Sequence, residues 1–198
     1  KLSRLDEVVA EGECRTRKGM RWFQYQFRHI QQGARILLTM RDITDRKLEE
    51  LEHRHLAWHD SLTGLLNRYG LMKSLEAYCG LGGRFALVFM DLDNFKLVND
   101  NYGHQTGDVV LKRVAKLGNQ LLEDHGWVCR YGGEELVVLL ANPDIHFCQM
   151  LLEQYRIGVA SLDWREPGLG ITFSGGLVAS VPGLDAKGLL DIVDAEVY

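Results

Sequence analysis

Apolar and polar positions along the chain alternate with the periods typical of strands and helices. In residues 21–28, Phe23, Tyr25 and Phe27 alternate with Gln24, Gln26 and Arg28, which predicts a strand with one buried face. Residues 34–41 are a second strand-like run, which follows a Gln-Gln-Gly turn. Because two strands are too few to stand alone, we expect residues 1–44 to be the tail of a larger domain or to pack on the rest of the chain.

A stretch of helical composition covers residues 45–58. Its apolar and aromatic positions recur at spacings of three and four, which is typical of the contact seam of a short coiled coil. The seam consists of Leu48, Leu51, His55 and Trp58. We favour a signalling linker helix, and a helix lying on its own domain is the alternative. His55 and His59, one turn apart, would suit a shared metal ion, but no further ligand at zinc-site spacing completes the set.

The remaining pattern predicts, in order, a helix, a strand, a helix, a hairpin, a helix, a strand and a last helix. The predicted ranges are 69–78, 85–90, 107–121, 129–140, 146–160, 169–180 and 183–198, with a polar loop at 99–104. The second of these is a continuous apolar run and therefore a strand buried on both faces. This order predicts an α+β fold, with a mainly antiparallel central sheet flanked by helices.

Composition narrows the classes of protein that remain. The chain of 198 residues is long enough for one domain and a smaller piece, and its net charge of −4 argues against a nucleic-acid binder. Four scattered cysteines favour a reducing compartment, and no apolar run is long enough to span or contact a membrane directly. Since it lacks an initiator Met and stops within a predicted helix, we expect a cytoplasmic fragment of a longer protein, with any membrane anchor elsewhere in the parent.

Carboxylates follow the buried strand. Asp91 and Asp93 come at its end, where an ionised group is costly unless a divalent cation compensates it. Helix capping by Asp93 or Asn94 is the competing explanation, but it leaves Asp91 without a purpose. Lys96 and the free amides of the turn 93–96 would suit phosphate oxygens.

A second acidic pair follows two glycines in the predicted hairpin. We expect Gly132 and Gly133 to form a tight turn with φ > 0, and Glu134 and Glu135 are either an ordinary polar turn or half of a cation site. If the hairpin lies beside the buried strand, Glu134 meets Asp91 at one edge of the sheet. Such an oxygen-rich site suits magnesium and is the minimum for metal-assisted nucleotidyl transfer.

Four motifs together identify a family. They are Asp60-Ser61-Leu62-Thr63-Gly64-Leu65-Leu66-Asn67-Arg68, Met90-Asp91-Leu92-Asp93-Asn94-Phe95-Lys96, Tyr102-Gly103-His104 with Gly107-Asp108, and Arg130-Tyr131-Gly132-Gly133-Glu134-Glu135-Leu136. In this order and spacing, residues 57–198 resemble a GGDEF domain, the diguanylate cyclase family. The junction Asp42-Ile43-Thr44 resembles the exit of a PAS domain. We therefore divide the chain into a partial PAS-like sensor at 1–44, a linker helix at 45–58 and a GGDEF domain at 59–198, truncated at its C-terminus.

The resemblance implies a ferredoxin-like, nucleotidyl-cyclase palm that condenses two GTP molecules into cyclic di-GMP across a homodimer. It implies that magnesium, or manganese in its place, is held by Asp91, the Leu92 carbonyl and Glu134. It further implies that Asn99 and Asp108 read guanine. Phosphate contacts are expected from Lys96 and the amides around Phe95, with close backbone approach at Gly132 and Gly133. Glu135 is expected to support the reaction by positioning or proton transfer.

Two departures from the family pattern are visible. Leu136 replaces the phenylalanine of the signature, an exchange of apolar residues that we expect activity to survive. Residues 123–126 lack the arginine of an Arg-x-x-Asp product-inhibition site, so we expect no feedback through that site. The alternative functions are a non-catalytic GTP-binding module that controls a phosphodiesterase domain beyond Tyr198, and a sensor scaffold without nucleotide.

Overall fold

A computed structural model describes residues 7–30, 35–80, 82–180 and 188. The chain divides into two compact units, Lys1–His55 and Leu56–Tyr198. Within the described ranges, no helix has the length and apolar character needed to cross a membrane.

The first unit is an antiparallel three-stranded sheet with the order β1-β2-β3. Its strands are β1 (Glu7–Thr16), β2 (Gly19–Ile30) and β3 (Arg35–Asp42). The two predicted strands correspond to β2 and β3. The prediction missed β1, whose residues are almost all exposed and therefore lack the one-sided apolar alternation that marks a half-buried strand.

Helix α1 (Thr44–Trp58) begins directly after this sheet, where the linker helix was predicted. Its start is fixed by Asp42, which accepts hydrogen bonds from the Thr44 amide at 2.9 Å and from the Thr44 hydroxyl at 2.6 Å. The same hydroxyl accepts a hydrogen bond from the Trp22 amide at 2.9 Å. Thr44 therefore ties the helix start to the middle strand.

The second unit is built on a five-stranded sheet with the order β4-β6-β7-β5-β8. Its elements are β4 (Leu66–Asn67), α2 (Arg68–Gly80), β5 (Ala86–Leu92), α3 (Phe95–Tyr102), α4 (His104–Leu122), β6 (Gly126–Arg130), β7 (Glu135–Leu140), α5 (Ile145–Ala160) and β8 (Phe173–Ala179). All neighbouring pairs are antiparallel except β4 with β6. The predicted α+β fold with a mainly antiparallel sheet is confirmed.

Strand β5 is buried on both faces, as its continuous apolar sequence predicts. Val88 and Met90 belong to the larger core, which also contains buried residues of α3, α4 and α5. Leu87 and Phe89 belong to a second core with buried residues of α2. Because helices cover both sides, β5 holds its terminal residues in a rigid setting.

Two boundaries differ from the predicted ones. Residues 99–102, predicted as loop, form the last turn of α3, and α4 begins at His104 rather than at Gly107. Asn and Asp are weak helix formers, but burial of Phe95 and Val98 against the core stabilises α3 in spite of them. The predicted helix 183–198 lies outside the described residues except for Gly188.

Candidate active site

The acids that follow the buried strand and those of the hairpin lie at one edge of the sheet. Asp91 near the end of β5 pairs directly with Glu135, the first residue of β7. Glu134 precedes that strand, and all three carboxylates are partly buried. We call Asp91 and Glu134 the strand-end acids.

The strand-end acids are coupled electrostatically. Burial raises the pKa of Asp91, and the negative charges of Glu134 and then Asp93 raise it further. No group of three or more His, Cys, Asp or Glu side chains able to hold a metal ion is found in the part of the chain that the structure describes. The expected ligand set therefore depends on two carboxylates and the carbonyl of Leu92, the residue that ends β5.

The chain forms the predicted hairpin between β6 and β7, but not with the expected glycine geometry. Neither Gly132 nor Gly133 has a φ in the left-handed region, so the prediction of φ > 0 is wrong. A Cβ at Gly132 would instead collide with the carboxylate of Glu135. The side chain of Glu135 therefore folds back over the turn at Gly132.

Arg130 ties the hairpin tip to the loop that precedes β4. Its guanidinium donates to both carboxylate oxygens of Asp60 at 3.1 and 3.2 Å and to the carbonyl of Gly133 at 3.1 and 2.9 Å. Burial disfavours the ionised form of Asp60, but hydrogen bonds from Thr63 and then Arg130 outweigh it, so the pKa of Asp60 lies below its usual value. The motifs contain both residues, yet their separation of 70 positions conceals the pairing.

Asp93 is a further residue of this edge whose role the sequence does not reveal. Its carboxylate accepts a hydrogen bond from the Ser174 hydroxyl at 2.7 Å, and its amide donates to the carbonyl of Thr172 at 2.9 Å. No side-chain cap bond is present at α3, where Asn94 adopts a left-handed φ of 57°. Asp93 therefore connects the end of β5 to β8 instead of capping the helix.

Helices α3 and α4 meet at Gly103 and bring the two expected guanine-reading residues together. A Cβ at Gly107 would collide with the side-chain oxygen of Asn99, so this carboxamide lies against the first turns of α4. Asp108 is the next residue of α4 and is exposed. We call Asn99, Gly103 and Asp108 the helix corner.

The expected phosphate-binding residues lie at the start of α3. Lys96 is exposed in the first turn, whereas the side chain of Phe95 is only 6% exposed and packs in the larger core. The first amides of a helix lack partners within the helix and favour anions. The arrangement thus offers a fixed backbone and the exposed ammonium group of Lys96.

Comparison with known proteins decides the family. The family described as "Diguanylate cyclase, GGDEF domain" matches residues 57–198. The chain belongs to the GGDEF family. The family match begins in the last turn of α1 and includes the strand-end acids and the helix corner.

Individual relatives agree with this assignment. The GGDEF chain is 35% identical over 153 residues to the diguanylate cyclase DgcP of Pseudomonas aeruginosa, covering 74% of this chain and 23% of DgcP. The coiled coil and GGDEF domain of DgcB from Caulobacter crescentus, in complex with c-di-GMP, superposes with a TM-score of 0.71 at 30% identity, covering 78% of this chain and 86% of that one. The active GGEEF domain of a Vibrio cholerae diguanylate cyclase gives 0.62 at 32% identity, with coverages of 68% and 89%. The chain spans less than a quarter of the length of DgcP.

Proposed function

We propose that this GGDEF domain is a diguanylate cyclase, which condenses two GTP molecules into cyclic di-GMP and two pyrophosphates. The observation that carries the proposal is that Asp91, near the end of the buried strand β5, pairs in register with Glu135, the neighbour of Glu134. Holding like charges together in a packed setting is unfavourable unless a ligand compensates them. A divalent cation with nucleotide phosphates is the ligand that carboxylates in this arrangement suit.

The strand-end acids and the Leu92 carbonyl would hold magnesium. They are hard oxygen donors, and manganese accepts the same ligands. When bound, the ion stabilises charge on the transferring phosphoryl group and makes the attacking hydroxyl more acidic. The raised pKa of Asp91 fits this group, because a cation would favour the ionised carboxylate that burial and the neighbouring acids disfavour.

The chain's own residues position the reactants. In each transfer, the 3′ oxygen of one GTP bonds to the α-phosphorus of the other, the bond to pyrophosphate breaks and the hydroxyl proton leaves to a base. We assign Glu135 to positioning or to accepting this proton, because Gly132 leaves its carboxylate room over the turn. Lys96 and the amides around Phe95 would bind phosphate oxygens.

Guanine recognition is assigned to the helix corner. A carboxylate at Asp108 accepts from the N1 and N2 donors of guanine, and the amide of Asn99 meets the acceptor edge of the purine. Adenine would leave these groups without partners, which is costly on binding. This pairing provides nucleotide selectivity.

A homodimer would bring the two nucleotides together, since each subunit presents one GTP. Leu48 and Leu51 of α1 are 56% and 50% exposed, as expected for a linker helix whose seam packs on a second copy. We assign residues 1–44 to the end of a PAS-like sensor that controls the cyclase through this helix. Leu136 is 1% exposed, so its replacement of phenylalanine affects the core rather than the acidic edge.

The test is to incubate the chain with GTP and magnesium and to measure cyclic di-GMP by chromatography. We expect product that disappears with a chelator and with Glu134→Gln. GTP binding without product, in a dimer of normal stability, would instead assign a regulatory GTP-binding domain. Absence of both binding and product would contradict the assignment of the site itself.

A further inference from the structure

The segment between α5 and β8 contacts both helices of the helix corner. On α4, the guanidinium of Arg113 stacks over the ring of Trp164 at 4.5 Å from its centroid, and it donates to the carbonyl of Asp163. Trp164 is partly buried and packs against the larger core. Arg113 therefore fastens this segment to α4 through a planar stack and a hydrogen bond.

The same segment is fastened to the end of α3. The hydroxyl of Tyr102 donates to the carbonyl of Pro167 at 3.3 Å. Tyr102 is the last residue of α3, and Gly103 follows with a φ of 85° before α4 begins. Residues 163–167 thus bridge the two helices on either side of their junction.

The junction itself is closed by main-chain hydrogen bonds. No side-chain cap bond is present at the start of α4, and the turn is closed by main-chain bonds from Gly103 to the Asn99 carbonyl at 2.9 Å and from Gly107 to the Gly103 carbonyl at 3.2 Å. The angle between two helices joined by one residue therefore depends on tertiary contacts. Those contacts are the shared packing of α3 and α4 in the larger core, the packing of Asn99 on Gly107 and the bridge through residues 163–167.

We propose that residues 163–167 are a brace that sets the spacing of Asn99 and Asp108, and that Arg113 and Tyr102 are positioning residues for guanine selectivity. The inference rests on the proposed function, since it deepens the role given to the helix corner. Hydrogen bonds to a base need donor–acceptor distances near 2.7–3.2 Å, so a shift of about 1 Å between the helices would lose one. Loosening the brace would weaken base recognition while leaving the strand-end acids in place.

The experiment compares GTP with inosine triphosphate, which lacks only the exocyclic amine of guanine. Arg113→Lys keeps the charge but loses the planar stack, and Tyr102→Phe removes only the hydroxyl. Lys116→Ala, an exposed change on another part of α4, is the matched control. For both test variants we expect KM for GTP to rise about 3- to 10-fold with kcat nearly unchanged, and the preference for GTP over inosine triphosphate to fall by a similar factor.

The experiment tests the brace and the proposed function independently of each other. Retention of the wild-type preference in both test variants, even with lowered thermal stability, would overturn the brace. Equilibrium binding of the two nucleotides gives the same ratio without turnover. The wild-type chain could make no cyclic di-GMP and still bind GTP in preference to inosine triphosphate. If Arg113→Lys and Tyr102→Phe then reduce that preference, the brace stands and the cyclase assignment fails.

Discussion

Asp91 lies near the end of a strand whose five preceding residues are at most 2% exposed, whereas the helix corner lies where two helices meet, with Asp108 exposed. At the first region, packing is rigid and like charges oppose each other. At the second, one residue, Gly103, links two helices whose relative position depends on tertiary contacts. The contrast teaches that packing at the acidic edge places like charges together, whereas the helix corner depends on contacts from other parts of the fold.

The largest effect is expected from removing one charge at the acidic edge. Asp91→Asn should lower turnover by about 100-fold or more, because the ligand set loses a carboxylate. The same change should raise the melting temperature of the metal-free protein. The folded pKa of Asp91 lies above its unfolded value, so stability falls as pH rises through that window and remains lowered at neutral pH.

Product formation and thermal unfolding in a chelator measure these two effects. Asp124→Asn, an exposed acid in the turn before β6, is the matched control and should change neither. A variant that is inactive and also less stable than the wild type would show that Asp91 stabilises the apo fold, contrary to its raised pKa.

At the helix corner, Asp108→Ala should lower kcat/KM for GTP by about 10- to 100-fold, because the guanine donors lose a charged acceptor. The melting temperature should stay near that of the wild type, since Asp108 is exposed. Steady-state kinetics with GTP give the first value and calorimetry the second. Asp100→Ala, an exposed acid on α3, is the control, and an equal loss in both variants would argue against base recognition by Asp108.

Arg130 and Asp60 form an ion pair that we call the hairpin clamp. Unlike the like charges of the strand-end acids, these two charges are opposite and attract each other. Asp60→Asn should lower the melting temperature at pH 7 by about 4–8 °C, since Arg130 loses its charged partner. The pKa of Asp60 is lowered in the fold, so the stabilisation is present above the unfolded pKa near 3.8 and is lost as pH falls through the folded value. The difference between variant and wild type should therefore shrink below about pH 4.

Thermal unfolding across this pH range checks the prediction. Asp45→Asn, an exposed acid in the first turn of α1, controls for a general change in charge. A difference that stays constant down to about pH 3 would mean that the Asp60–Arg130 pair does not supply the stability.

Local sequence predicts the strands of the acidic edge better than the long-range contacts that hold them in place. The apolar run before Asp91 and the apolar arms of the hairpin each favour a single structure, so β5, β6 and β7 lie near the predicted positions. The two-residue strand β4 carries no pattern, because only its parallel pairing with β6 makes it a strand. The bonds of Asp60 to Arg130 and of Asp93 to Ser174 span 70 and 81 positions, and no local period encodes such contacts.

The smallest effect is expected at the bond between the acidic edge and β8. Ser174→Ala removes the hydroxyl that donates to Asp93 at 2.7 Å, so the turn after Leu92 should hold its carbonyl less firmly. We expect the magnesium concentration for half-maximal activity to rise about 2- to 5-fold, with KM for GTP nearly unchanged. Magnesium-dependent thermal stabilisation in the presence of GTP should shift in parallel, which gives a measure apart from turnover. Ser174→Thr keeps the hydroxyl and should restore both values. If it behaves like alanine, the effect belongs to packing at β8 and not to the bond with Asp93.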